Sequence, residues 1–102
     1  MALKIISQAN NTGFAITQYA PVIGKQFSGI VSLCNLASIA YDVGVLIDSA
    51  VVEIFRLQPV GVKGSSLKIN IVLGASQYVL ISSISEAAAN YVLAIYGDEF
   101  TT

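Results

Sequence analysis

The sequence contains no histidine and no tryptophan, one cysteine and two prolines, and charged side chains make up only 11% of its 102 residues. Without histidine, the commonest general base and the commonest metal ligand are both missing. Cys34 alone forms no internal disulfide and no Cys-x-x-Cys pair, and within "GIVSLCNLA" it reads as a small buried hydrophobe. The basic residues Lys4, Lys25, Arg56, Lys63 and Lys68 are scattered singly, so the phosphate-neutralising density that nucleic-acid binding requires is absent. Long apolar runs are absent as well: Asp42, Asp48 and Glu53 cut the middle of the chain, and Ser82, Ser83, Ser85, Glu86 and Asn90 cut its C-terminal part. No stretch reaches the roughly 18 apolar residues of a membrane span. The N-terminal "MALKIISQANNTG" carries one lysine and too short an apolar run for a secretory signal.

What the chain does have is apolar surface. Hydrophobic residues make up 55%, and the charged fraction is less than half of the roughly 25% usual for a soluble globular chain. The length suits one domain, 1–102, small enough that much of its surface stays outside the core. With a membrane and nucleic acid set aside as partners, the cover expected for that surface is protein.

Turn signals at Asn10 to Gly13, Pro21 to Gly24, Ser28-Gly29, Asn35, Asp48-Ser49, Pro59 to Ser66, Gly74, Ser82 to Ser85 and Gly97-Asp98 punctuate the chain. Many recur at about ten residues, the rhythm of short strands in a sandwich or barrel. The segments between them are rich in Val, Ile, Tyr and Phe, as in "FAITQYA", "VVEIFRLQ" and "NYVLAIYG". In "SLKINIV" Leu67, Ile69 and Ile71 share one face and Lys68 and Asn70 the other; with "SQYVLISS" after a Gly74-Ala75 turn, this reads as the clearest hairpin. The fold expected is all-β, an antiparallel β-sandwich of about seven or eight short strands.

Two stretches carry a helical alternative. From Ser38 to Leu57, the residues Ser38, Asp42, Ser49, Glu53 and Arg56 make a polar stripe at the helical repeat, which would give an α+β fold with a helix at 38–57. Nine of these twenty residues are Val, Ile, Tyr or Phe, Gly44 sits mid-way, and no capping box opens the segment. Two strands, about 38–47 and 51–58, joined at Asp48-Ser49, are therefore expected. Near 84–90, Ser83 with Glu86 makes a capping box ahead of three alanines, and a loop or a short helical turn is expected there before a last strand. "LKIISQANNTGFAIT" and "LKINIVLGASQYVLI" also echo one another, as two β-hairpins would for purely physical reasons.

Candidate chemistry is sparse. "GVKGSS" lacks the Walker spacing. No alternating acidic calcium loop is present, and Asp42, Asp48, Asp98 and Glu99 read as solvated surface charge. No catalytic residue, metal ligand or cofactor is expected, and the chain is read as a non-enzyme. "NNT" at 10–12 matches the glycosylation pattern and reads as a hairpin turn. The tyrosines Tyr19, Tyr41, Tyr78, Tyr91 and Tyr96 fit core positions singly; as a set they suit interface cores or stacking on sugars.

Several strands read as apolar on both faces. A small sandwich has one inner face per sheet, so a second apolar face calls for a partner. The interface residues expected on this ground are Val52, Ile54 and Arg56 on one strand and Val92, Ala94 and Tyr96 on another, in a homo-oligomer, a trimer or symmetric array.

The C-terminal half to two-thirds also carries a family pattern. Ser66, Leu67, Ile69, Ile71, Val72, Leu73 and Gly74, then Tyr78, Val79, Ile81 and Ser82, then Asn90, Tyr91, Val92, Ala94, Tyr96, Gly97 and Glu99 resemble small all-β bacteriophage virion proteins. The resemblance implies a structural, non-enzymatic part of a virus particle, a capsid decoration or cement protein or a tail or fibre-joint protein. It implies capsid or tail proteins as partners and a place in the virion after assembly in the host cytoplasm. The Ala87-Ala88-Ala89 run and the N-terminal segment depart from the pattern. Two other classes fit the composition: a carbohydrate- or host-surface-binding β-sandwich module, and a small phage-encoded inhibitor of a host protein.

Overall fold

A computed structural model describes residues 4–101. Eight strands follow in order: β1 Lys4–Thr12, β2 Thr17–Tyr19, β3 Gln26–Asn35, β4 Tyr41–Ile47, β5 Ala50–Leu57, β6 Ser66–Leu73, β7 Val79–Ser83 and β8 Asn90–Phe100. They form two antiparallel four-stranded sheets, a first in the order β1-β8-β3-β6 and a second in the order β2-β7-β4-β5. The fold is an all-β sandwich with no helix among the described residues, hence none long and apolar enough to cross a membrane.

Alternation at period two divides each strand between core and outside. The first sheet sends inward Phe27, Val31 and Leu33 from β3, Ile71 and Leu73 from β6, and Tyr91, Leu93 and Ile95 from β8. The second answers with Tyr19, Tyr41, Val43, Val45, Leu57, Val79 and Ile81. Gross burial of each such side chain is worth about 1.5–3 kcal/mol.

The segment 38–57 is the β4–β5 hairpin, so the helical alternative is excluded. Ser38 lies in the preceding loop, and the two-residue turn Asp48-Ser49 has φ of 53° and 67°, the conformation whose twist matches its flanking strands. Asp42 and Arg56, which helical periodicity places on one stripe, are cross-strand neighbours joined by an ion pair at 3.3 Å. The alanine run is a turn, not a helix: Ala89 N–H bonds the Glu86 carbonyl at 3.3 Å and β8 begins at Asn90.

The β6–β7 segment is not a hairpin. β6 pairs with β3 in the first sheet and β7 with β4 and β2 in the second, so the Gly74–Gln77 turn carries the chain across the sandwich. The same holds for β1 and β2, in opposite sheets across Gly13. The internal echo thus joins two strand-corner-strand crossings. Ser28-Gly29 is not a turn but the middle of β3. Asn10-Asn11-Thr12 ends β1 rather than forming a turn, and the buried Asn11 amide bonds Thr17 Oγ1 at 2.8 Å and the Tyr91 hydroxyl at 3.2 Å.

Candidate functional site

Strand order decides what the outer face of the first sheet presents. Register places Asn10, Val92, Cys34 and Ser66 in one row across β1, β8, β3 and β6, then Gln8, Ala94, Ser32 and Lys68, then Ile5, Tyr96, Ile30 and Asn70. Gln8, Asn10, Ser66, Lys68 and Asn70 are exposed, whereas Ile30, Ser32, Cys34, Ala94 and Tyr96 are half-buried. Long polar side chains therefore stand on the edge strands β1 and β6 in company with the exposed Ile5 and Val72, and the middle strands carry small side chains in two rows and Tyr96 with Ile30 in a third. A hollow of about 370 Å³, lined by Gln8, Ala9, Asn10, Val92 and Leu93, opens on the β1–β8 side.

Cys34 lies in this face, half-buried on its outward side, rather than in the core. β8 does carry apolar side chains on both faces, Tyr91, Leu93 and Ile95 inward and Val92, Ala94 and Tyr96 outward. β8 is a central strand, and the outward residues beside Val92 and Ala94 are Asn10 and Gln8 on β1 and Cys34 and Ser32 on β3. Amide and hydroxyl groups thus break up the apolar row.

The outer face of the second sheet differs. Around Gly44 stand Ile54 of β5 and Ile84, whose Cγ2 lies 3.2 Å from where a Gly44 Cβ would be, with Leu46 and Leu80 in the next row. Ile54 and Ile84 are exposed, as is Ile16 just before β2. The Asp42–Arg56 ion pair borders this apolar face.

The two expected interface triplets are therefore not brought together. Val92, Ala94 and Tyr96 lie on the outside of the first sheet, and Ile54 and Arg56 on the outside of the second, a sandwich thickness away. Val52 is the extra residue of a bulge, since Val45 pairs with Glu53 and Leu46 with Val51. The residues missed from sequence are Gln8, Asn10, Lys68 and Asn70, whose alternation was visible but whose shared face depends on pairings between distant strands.

The tyrosines divide by environment. Tyr41 and Tyr91 are fully buried and Tyr19 nearly so, while Tyr78 in a loop shares a hydrogen bond of 2.6 Å with Ser49. Burial pushes the Tyr41 phenol up to about 12 and raises Tyr91 as well. Tyr19 is raised by burial first and then by Glu99, whose carboxylate accepts its hydroxyl at 2.5 Å. Glu99 is therefore a link between the sheets rather than a solvated charge. Among the described residues no three His, Cys, Asp or Glu stand together as a metal site.

No family model matches the sequence, and neither does any curated protein. Among solved structures the fold is similar to that of a carbohydrate-binding module, CBM36 in complex with calcium and xylotriose, with a TM-score of 0.50 and 9% identity over 96% of this chain and 93% of that one. At that identity the likeness is one of fold, the β-sandwich.

Proposed function

We propose that this chain is a non-catalytic binding module whose ligand is carbohydrate, held on the outer face of the β1-β8-β3-β6 sheet. The observation that carries the reading is that Gln8 and Asn10 on β1 and Lys68 and Asn70 on β6 border the sheet face that holds the half-buried Tyr96, which lies between Ile5 and Ile30 in its own row, with an open hollow beside Gln8 and Asn10. Sugars present hydroxyl groups at their edges and C–H surface on their faces. Amide and ammonium side chains bond the former, and an aromatic ring packs on the latter. The fold likeness to a carbohydrate-binding module supports the same class.

Affinity electrophoresis in gels containing xylan, mixed-linkage glucan, mannan or polygalacturonate tests the reading. Retardation by at least one polymer, at least tenfold weaker for Tyr96→Ala, is expected. Unchanged mobility in all of them would remove carbohydrate as the ligand.

A second reading, assembly through the apolar outer face of the other sheet, is favoured by Ile16, Leu46, Ile54, Leu80 and Ile84. It corresponds to the virion component implied by the resemblance, with a second copy of the chain as the simplest occupant. Light scattering coupled to size exclusion, over a hundredfold concentration range, would show a defined oligomer that Ile54→Lys dissociates. A monomer throughout argues against self-assembly.

A further inference from the structure

Building on the carbohydrate reading, we infer that the ligand is an internal segment of a neutral linear polysaccharide, lying along the strands, rather than a chain end or a single sugar. The shape of the face is the first reason. Its floor along β8 and β3 has small side chains in two rows, Ala94 with Ser32 and Val92 with Cys34, and the larger Tyr96 and Ile30 in the row beyond them. Its rims are the longer side chains of the two edge strands, Gln8 on β1 and Lys68 on β6 within the same row as Ala94 and Ser32.

Three inter-strand spacings separate the rim backbones, about 14 Å, which is wide enough for one sugar chain lying on its face. From Val92 to Asp98 the floor runs six residues along β8, about 20 Å, so several consecutive units are accommodated.

Openness is the second reason. The strands run out at both ends of this track, and the hollow beside Gln8 and Asn10 lies open to the outside. A site that captures a chain end needs a wall against which the terminal hydroxyl is bonded, whereas the described long polar side chains of this face, Gln8, Asn10, Lys68 and Asn70, stand along its sides. Charge is the third. Among the described side chains, the outward charged groups along the track are Lys68 on one rim and Asp98 at the end of β8, one of each sign. An anionic polymer would meet one cation where it needs several. Hydrogen bonding by Gln8, Asn10 and Asn70 suits a neutral chain, with Tyr96 placed under a sugar face.

Calorimetric titration with xylo-, cello- and manno-oligosaccharides of one to six units, together with the soluble polymers, tests this. For the sugar series that binds, affinity is expected to rise at least tenfold from dimer to hexamer. Reducing the terminal unit of the hexamer to its alditol should change affinity less than twofold. Gln8→Ala and Lys68→Ala, on opposite rims, should each weaken the hexamer at least threefold, with unfolding midpoints within 2 °C of the parent. If a monosaccharide or dimer binds as tightly as the hexamer, or alditol conversion abolishes binding, the internal-segment inference is overturned while the carbohydrate reading stands. If only a charged polymer such as polygalacturonate binds, neutrality is overturned. If no polymer or oligomer binds, both readings fall together.

Discussion

Gly29 and Gly97 face each other across the β3–β8 pair, and the ring of Phe27 lies over both. A Cβ on Gly29 would sit 2.3 Å from the Tyr96 carbonyl oxygen, 2.5 Å from Phe27 Cζ and 2.8 Å from Gly97 Cα; one on Gly97 would sit 2.4 Å from the Ser28 carbonyl oxygen. The absence of side chains lets the aromatic ring turn along the strand and close the core beneath Tyr19, whose ring meets it edge-on at 5.0 Å.

Gly29→Ala and Gly97→Ala are each expected to cost about 3 kcal/mol, the upper part of the usual range for overpacking. Denaturant unfolding measures this. In Gly29→Ala the added methyl group meets both ring and backbone, so combining it with Phe27→Leu should cost less than the sum of the two single changes. Strict additivity would place the strain in the backbone alone.

The Tyr19–Glu99 hydrogen bond ties the end of β2 to the end of β8 across the two sheets. Tyr19→Phe is expected to lower stability by about 1 kcal/mol, discounted for the half-buried carboxylate. A double-mutant cycle with Glu99→Gln should return a positive coupling energy, and a coupling of zero would reduce the contact to coincidence.

Ser76 has a φ of 69° in the turn closed by the Gln77 N–H on the Gly74 carbonyl at 3.2 Å. A side chain there is strained, and glycine adopts the angle freely. Ser76→Gly is expected to raise stability by about 0.5 kcal/mol, because relief of strain outweighs the greater freedom of the unfolded chain. A fall in the urea midpoint would contradict this.

Stability should decline in alkali. An unfolded tyrosine loses its proton near pH 10, whereas burial raises Tyr41 to about 12 and also raises Tyr19 and Tyr91. Above about pH 10 the unfolded state therefore binds fewer protons than the folded one, and stability falls as pH rises toward 12. Urea midpoints between pH 8 and 11.5 should drop, with a shallower slope for Tyr41→Phe. A flat profile would mean that these phenols ionise without unfolding.

The β4–β5 hairpin was legible because its information is local: β-branched residues flank a two-residue turn at Asp48-Ser49. The same kind of local signal at Gly74 misled, since a turn directs the chain back without stating whether the next strand joins the same sheet. Leu73 and Val79 both point into the core, from opposite sheets. The segment after Leu73 therefore finds its partners in β4 and β2 rather than in β6.

The candidate site illustrates the same division. That Tyr96 alternates with Ile95 was visible in the chain; that Gln8, Ser32 and Lys68 share a row with Ala94 was not, because those contacts join strands far apart in sequence. Sequence alone determined the all-β class, the strand rhythm and the shortage of charge, all consequences of side-chain type and period. Tertiary structure decided which apolar strand became the central, polar-flanked β8 and which became the exposed edge β5. That choice depends on burying two sheets against each other at once, and no local segment encodes it.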